Sequence, residues 1–226
     1  MNKNTDLKEQ RKLTASNARR EIVLSAARTI FFEQGFEGAS MREIAKQAGY
    51  TPGAIYHYFK SKEEVYAALL GESLARLNER VTFETSLSLS KPKSKSANKY
   101  EEQLRKGIRA FFDFYYENPR DLDLGFYLFK GMQPRGLTPE LNKHLNNELQ
   151  RSLFVAQSAI ESMGATKKQA LKEITACFAH IVGILLLNHT GRVKMFQQKT
   201  IELLDDYIDN LVARTKPTRK KNSKSS

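Results

Sequence analysis

Two short helices, each with its own start and stop signals, are written three residues apart in SMREIAKQAGYTPGAIYHYF, residues 40–59. Ser40 followed by Glu43 forms a capping box, in which the hydroxyl accepts a first-turn amide and the carboxylate reaches back. Met41, Ile44, Ala45 and Ala48 then share one face, and Gly49 suits the left-handed residue that closes a helix. Thr51 caps the next helix and Pro52 opens it, at the one position where a missing N–H costs no bond. Ile55 and Phe59, four apart, point together into a small core. Two helices joined by such a turn make the helix-turn-helix arrangement, whose second helix enters the DNA major groove.

That geometry accounts for four adjacent rings in one short segment, Tyr56, His57, Tyr58 and Phe59. Gly53 and Ala54 sit near the helix start, where small side chains let the backbone approach base edges. Tyr56, His57 and Tyr58 offer hydroxyls, a ring nitrogen and ring faces to phosphates, bases and thymine methyls. Lys62 and the amides of a helix capped by Ser61, within a second box closed by Glu64, are available to a phosphate. The charge distribution agrees. Residues 1–62 hold 11 Lys/Arg against 6 Asp/Glu, and most of the remaining excess in a net charge of +12 falls in residues 86–99 and 214–226. That asymmetry points to an anionic polymer as partner.

The stretch from Arg20 to about Leu77, with FFEQGFEGASMREIAKQAGYTPGAIYHYFKSKEEV at residues 31–65, closely resembles the DNA-binding domain of the TetR/AcrR family of bacterial transcriptional repressors. The resemblance rests on Gly35-Phe36, Ser40-Met41, Ile44-Ala45, Ala48-Gly49, Tyr56, Tyr58-Phe59 and Ser61-Lys62-Glu63, and it spans about a quarter of the chain. It implies that Thr51, Gly53, Ala54, Tyr56 and His57 face bases, while Ser40, Arg42, Tyr58 and Lys62 hold phosphates. Pro52 departs from the Ser or Lys more usual there and removes one side-chain contact. By the same resemblance the partner is double-stranded DNA, as a palindromic operator read by a homodimer. Two reading helices related by a twofold axis would take half-sites roughly 34–36 Å apart. A repressor would leave that operator when a small effector binds. The alternative is a constitutive or architectural DNA binder using its basic tails, with salt-dependent and sequence-independent affinity.

The rest of the chain also carries helix periodicity and no strand-like alternation. The pattern predicts an all-α fold with an N-terminal three-helix domain at residues 17–80. A larger helical ligand-binding and dimerisation domain follows at residues 97–214. Residues 1–16 and 215–226 read as flexible basic tails, and residues 87–98, rich in Ser and Lys with Pro92, as a linker. Predicted helices of the second region span about 100–117, 120–130, 138–163, 166–193 and 197–214.

Eight of the 22 Phe and Tyr residues lie between Phe111 and Phe129. A helix with rings on two faces needs cover on both, so Phe111, Phe114, Tyr115, Phe126, Tyr127, Phe129 and Met132, with His180 as a polar handle, are expected to line an apolar pocket. The pocket would take a lipophilic or aromatic effector. On the last two helices, Ile181, Ile184, Leu185, Ile201, Leu204, Ile208 and Leu211 form stripes expected to pair in a four-helix dimer seam.

The chain is not expected to be an enzyme. Cys177 and His180 are three apart on one helix face, but ACFAHIVGILLL is an apolar setting where a buried thiol is ordinary. No glycine-rich phosphate loop, paired carboxylate motif or multi-cysteine metal spacing is present, so neither a cofactor nor a metal is expected. The single cysteine fits a reducing compartment, and no uninterrupted apolar run approaches the roughly 20 residues of a membrane span. A cytoplasmic protein without a membrane partner is the expectation.

Overall fold

The computed structural model describes residues 3–86, 96–126 and 137–216, and every regular element among them is helical. In chain order these are α1 (Lys3–Gly38), α2 (Met41–Ala48), α3 (Pro52–Ile55), α4 (Lys62–Ser86) and α5 (Ser96–Glu117). They continue with α6 (Pro119–Phe126), α7 (Pro139–Ser162), α8 (Lys167–His189), α9 (Arg192–Met195) and α10 (Thr200–Thr215). The chain forms two compact units, one of residues 1–73 with 120–146, the other of residues 74–119 with 147–226.

In the first unit, α1 contributes Val23, Leu24, Ala27, Ile30 and Phe31 to a core completed by Ile44, Ala45, Ile55, Phe59, Val65 and Leu69, all buried. Phe31, Phe36 and Tyr66 form a ring cluster with centroids 5.4–6.2 Å apart. Two of its three pairs are edge-on, the arrangement that aromatic quadrupoles favour. The Tyr66 hydroxyl donates to the Leu124 carbonyl of α6. On the surface of this unit the Arg120 guanidinium lies 4.4 Å from the centre of the Phe32 ring.

The first helix starts at Lys3, whereas apolar periodicity predicts a start near residue 17. Residues 7–22 bury nothing, so no periodic signal marks them. Lys, Arg, Leu, Gln, Glu and Ala are nevertheless good helix formers. Extending a helix already anchored at Val23 also avoids a new nucleation. The helical backbone breaks at Gly35 (φ 71°, ψ 173°), a conformation open to glycine.

In the second unit α5 packs against α8 and α10. Leu104, Ile108, Phe111 and Phe112 of α5 are fully buried, as are Cys177 and Ile181 of α8 and Leu204 and Leu211 of α10. Charged pairs flank this core. Arg105 bonds Asp209 at 2.5 Å, Arg109 bonds Asp205 at 2.8 Å, and Arg214 bonds Glu173 at 2.7 Å. Their side chains are partly exposed, so they orient helices more than they stabilise them.

Thr166 and Gln169 form a complete capping box at the start of α8. The helix predicted to run to residue 193 stops at His189, and Gly191 with φ 73° turns the chain into α9. Among the described residues, α8 alone is long and apolar enough to cross a membrane, a test that core helices also pass. Its Ile174, Cys177, Ile181, Ile184 and Leu185 are buried in the protein. The predicted linker is helical from Ser96 onward; its remainder, the end of the 120–130 helix beyond Phe126, and the residues after 216 lie outside the described residues.

Candidate nucleic-acid interface

The turn between α2 and α3 follows from its local chemistry. Ser40 accepts the Glu43 N–H at 3.2 Å and donates its own hydroxyl to the Glu43 carboxylate at 2.8 Å. The box is therefore closed through the hydroxyl, not through the Ser40 amide. Gly49 takes φ 73°, its N–H meets the Lys46 carbonyl, and the Tyr50 N–H meets the Ala45 carbonyl. Nothing lies within 4 Å of a Cβ built on Gly49, so backbone conformation, not space, selects glycine. The Thr51 hydroxyl accepts the Ala54 N–H at 3.3 Å, with Pro52 in the first turn.

The reading segment is helical over a single turn. Its α-helical part is Pro52–Ile55, continued as turns in which the Tyr58 and Phe59 N–H groups both reach the Ile55 carbonyl. The division into two faces is clear. Ile55 and Phe59 are 0% and 4% exposed, while Tyr56 is 51% exposed. Thr51, Pro52, Gly53 and His57 are exposed, and Ala54 and Tyr58 are half-buried. A Cβ on Gly53 would meet nothing within 4 Å, so the chain's own packing does not demand its small size.

The cations sort into two groups. Arg42 and Lys46, one helical turn apart on α2, are exposed and have no ion pair among the described residues. The sequence analysis nominates Arg42 alone of these two, although Lys46 follows it at the four-residue spacing of one helical turn. Lys62 instead turns inward. Its ammonium donates to the Phe36 carbonyl at 3.0 Å and the Ala39 carbonyl at 3.4 Å, and lies 4.6 Å from the centre of the Phe36 ring. The end of α1 leaves carbonyls without helical partners, and Lys62 supplies the donor. Ser61 caps α4 through the Glu64 N–H, while the Glu64 carboxylate takes the Lys60 N–H instead of the Ser61 N–H.

Of the residues expected to line a pocket, three of α5 are packed on one another. Phe111, Phe114 and Tyr115 are at most 5% exposed. The Phe111 ring lies 5.2 Å from that of Tyr115 and 5.9 Å from that of Phe178, and Phe114 lies 5.1 Å from Tyr115. On the other face of α5 Phe112 is buried, while Tyr116 stacked on it at 5.3 Å is exposed. Phe126 is half-buried at the end of α6, and Tyr127, Phe129 and Met132 lie outside the described residues. His180 stacks on Tyr207 at 3.9 Å, its Nε2 without a hydrogen-bond partner. A cavity of about 670 Å³ opens elsewhere in the second unit, lined by Asn78, Glu79, Thr82 and Phe83 of α4 and Glu148 and Arg151 of α7. None of the nominated aromatics borders it, because no one-dimensional pattern joins α4 to α7.

The residues expected at a dimer seam face the protomer's own core. Ile181, Ile184, Leu185, Leu204, Ile208 and Leu211 are at most 5% exposed, and only Ile201 is half-buried. Periodicity located a buried stripe, but the cover comes from α5 of the same chain. A different face of α8 is open, with Ala176, Ala179, Leu186 and Leu187 exposed and Val182 and Gly183 half-buried.

Burial pushes the Cys177 thiol up to about 12, far from a working thiolate. Among the described residues, no three His, Cys, Asp or Glu side chains gather where they could hold a metal ion.

Residues 23–69 match the family model described as bacterial regulatory proteins, tetR family. Over 68 residues the chain is 41% identical to the HTH-type transcriptional repressor AcnR of Corynebacterium diphtheriae, a match covering 30% of this chain and 36% of AcnR. The match thus spans about a third of that relative. Two solved structures share the fold over most of their length. The regulator FadR from Bacillus subtilis, in complex with stearoyl-CoA, superposes with a TM-score of 0.61 at 20% identity, covering 85% of this chain and 97% of FadR. A putative tetR family regulator from Shewanella sp. PV-4 gives 0.58 at 17% identity, covering 87% and 97%.

Proposed function

We propose, since the chain belongs to the TetR family of bacterial regulatory proteins, that it is a cytoplasmic, homodimeric repressor of a palindromic DNA operator. The observation that carries this is the two-faced reading segment, with Ile55 and Phe59 buried beneath an open surface of Thr51, Gly53, Tyr56 and His57. Tyr56 and His57 would read base edges, and Arg42 and Lys46 would hold phosphates. Lys62 contributes from beneath by fixing the junction of α1 and α2.

The domain reading of residues 17–80 for DNA and 97–214 for ligand and dimer belongs to this proposal. A lipophilic or aromatic effector would bind in the helical remainder and release the operator, with α4, unbroken from Lys62 to Ser86, carrying the change. Support comes from the cavity between α4 and α7 and from a fold shared with FadR, solved with stearoyl-CoA. The second protomer would pack on the open α8 face of Ala176, Ala179, Val182, Gly183 and Leu186, where small side chains admit a close approach. A preference for the bound-to-DNA form need change by only a few kcal/mol for an effector to empty the site.

The test is selection of bound duplexes from a random pool, followed by footprinting of wild type and Tyr56→Ala. The expected result is a twofold-symmetric site with half-sites roughly 34–36 Å apart, protected by wild type and lost with Tyr56→Ala while the melting temperature holds. Recovery of no preferred sequence would overturn the reading.

A further inference from the structure

The first half of α1 is helix that the protein itself does not use. Residues 7–22 are exposed except for half-buried Ser16 and Arg20, and burial begins at Val23. At 100° per residue, Lys8, Arg11, Lys12, Ala15 and Arg19 fall within one arc of about 100°. Glu9 and Glu21 lie on other sides of the helix. Lys8, Arg11, Lys12 and Arg19 have no ion pair among the described residues. Nearer the core the cations are matched, with Arg20 3.6 Å and Arg28 3.3 Å from Glu72. Like charges at these spacings repel one another along the helix, a cost that an anionic partner reverses.

We propose that this basic stripe is a second DNA-binding element, which lies along the phosphate backbone of the duplex beside the segment read by α3. The idea rests on the assignment of α2 and α3 to DNA. Two observations choose the partner. First, the stripe is rooted at the reading segment: the Arg20 guanidinium lies 5.2 Å from the centre of the Phe59 ring, and Phe59 closes the turn that follows α3. Second, the arm lacks the apolar face of a membrane-surface helix. Its exposed Leu7 and Leu13 fall on different sides and form no stripe.

From Lys8 to Arg19 the helix rises about 16 Å, roughly five base-pair steps of a duplex that carries a charge every ~1.7 Å. Four cations can therefore meet successive phosphates without bending the arm. The stripe has no ring or amide that reads a base edge, so its contribution is affinity and orientation, not sequence choice.

The experiment compares full-length wild type with Lys8→Gln/Arg11→Gln/Lys12→Gln/Arg19→Gln and with a charge-preserving swap, Lys8→Arg/Arg11→Lys/Lys12→Arg/Arg19→Lys. Binding to a random-sequence duplex and to a pool-selected duplex with long flanks is followed by anisotropy across a salt series. Each lost phosphate contact should lower the slope of log K against log[salt] by about 0.9. The Gln variant should therefore lose about three to four units of slope per arm on both duplexes. It should keep its melting temperature and its ratio of selected to random binding, the swap should behave as wild type, and trimming the flanks should bring wild type down to the Gln variant. An unchanged slope would overturn the proposal, as would an equal loss in the swap or a loss confined to the selected duplex. Salt-dependent binding to phosphatidylserine vesicles with an unchanged DNA slope would assign the stripe to membranes instead. If wild type prefers no duplex at all, the assignment of α2 and α3 fails, a result separate from any difference between variants.

Discussion

The Lys62 ammonium donates to the Phe36 carbonyl across 26 residues of chain, at 3.0 Å, and covers the ring of the same residue. It also donates to the Ala39 carbonyl, so one side chain at the start of α4 closes the end of α1 and the entry to α2. Hydrogen bonds to a charged group contribute about 1.5–3 kcal/mol when partly buried. Lys62→Met keeps the aliphatic stem and removes the donor. It should lower the melting temperature by several degrees while leaving the salt slope of DNA binding unchanged. A phosphate-holding lysine would show the reverse, an unchanged melting temperature and a slope lower by about 0.9.

That contrast marks where sequence is legible and where it stops. The α2–α3 turn is local chemistry, and Ser40, Gly49, Thr51 and Pro52 each act within four residues, so its outline is readable. Lys62 acts over 26 residues, and nothing in its immediate neighbours says whether its ammonium turns outward or inward. The stripes on α8 and α10 show the same limit. Ile181 and Leu204 announce that something covers them, but the periodicity is identical whether the cover is α5 or another protomer. The arm at residues 7–22 fails in the opposite sense, because a helix that buries nothing leaves no apolar rhythm.

His180 gives the fold a pH dependence with a definite sign. Burial holds its imidazole below the ordinary value of 6.5, a hydrogen bond to the Leu203 backbone opposes this, and Arg214 lowers it further. A depressed folded value means the charged ring is disfavoured in the fold. Its contribution is therefore present above pH 6.5 and is lost as pH falls through the folded value. The fall in melting temperature between pH 7.5 and 5.5 should be smaller in His180→Phe, which preserves the stack on Tyr207, than in wild type. An equal fall in both would remove His180 as the cause.

Cys177 should be chemically silent. It is 0% exposed, and burial raises its thiol to about 12. At pH 8 the folded protein should release no colour from an aromatic disulfide reagent, and should react with one equivalent once denatured. Fast labelling of the native chain would mean that α8 opens readily from α5 and α10.

The two faces of α8 should respond to substitution in opposite ways. Leu204 of α10 is 0% exposed in the core that α8 shares. Leu204→Ala leaves a cavity there and should cost about 2–5 kcal/mol of chain stability. Ala179 lies on the open face, where an arginine meets no covering residue of its own protomer. Ala179→Arg should leave the fold intact by circular dichroism and divide the molar mass by two in light scattering. Loss of protection at both half-sites should accompany it, because a single α3 reads too few bases to hold specific DNA alone. A dimer that survives Ala179→Arg places the seam on another surface, and the open α8 face then has no role in assembly.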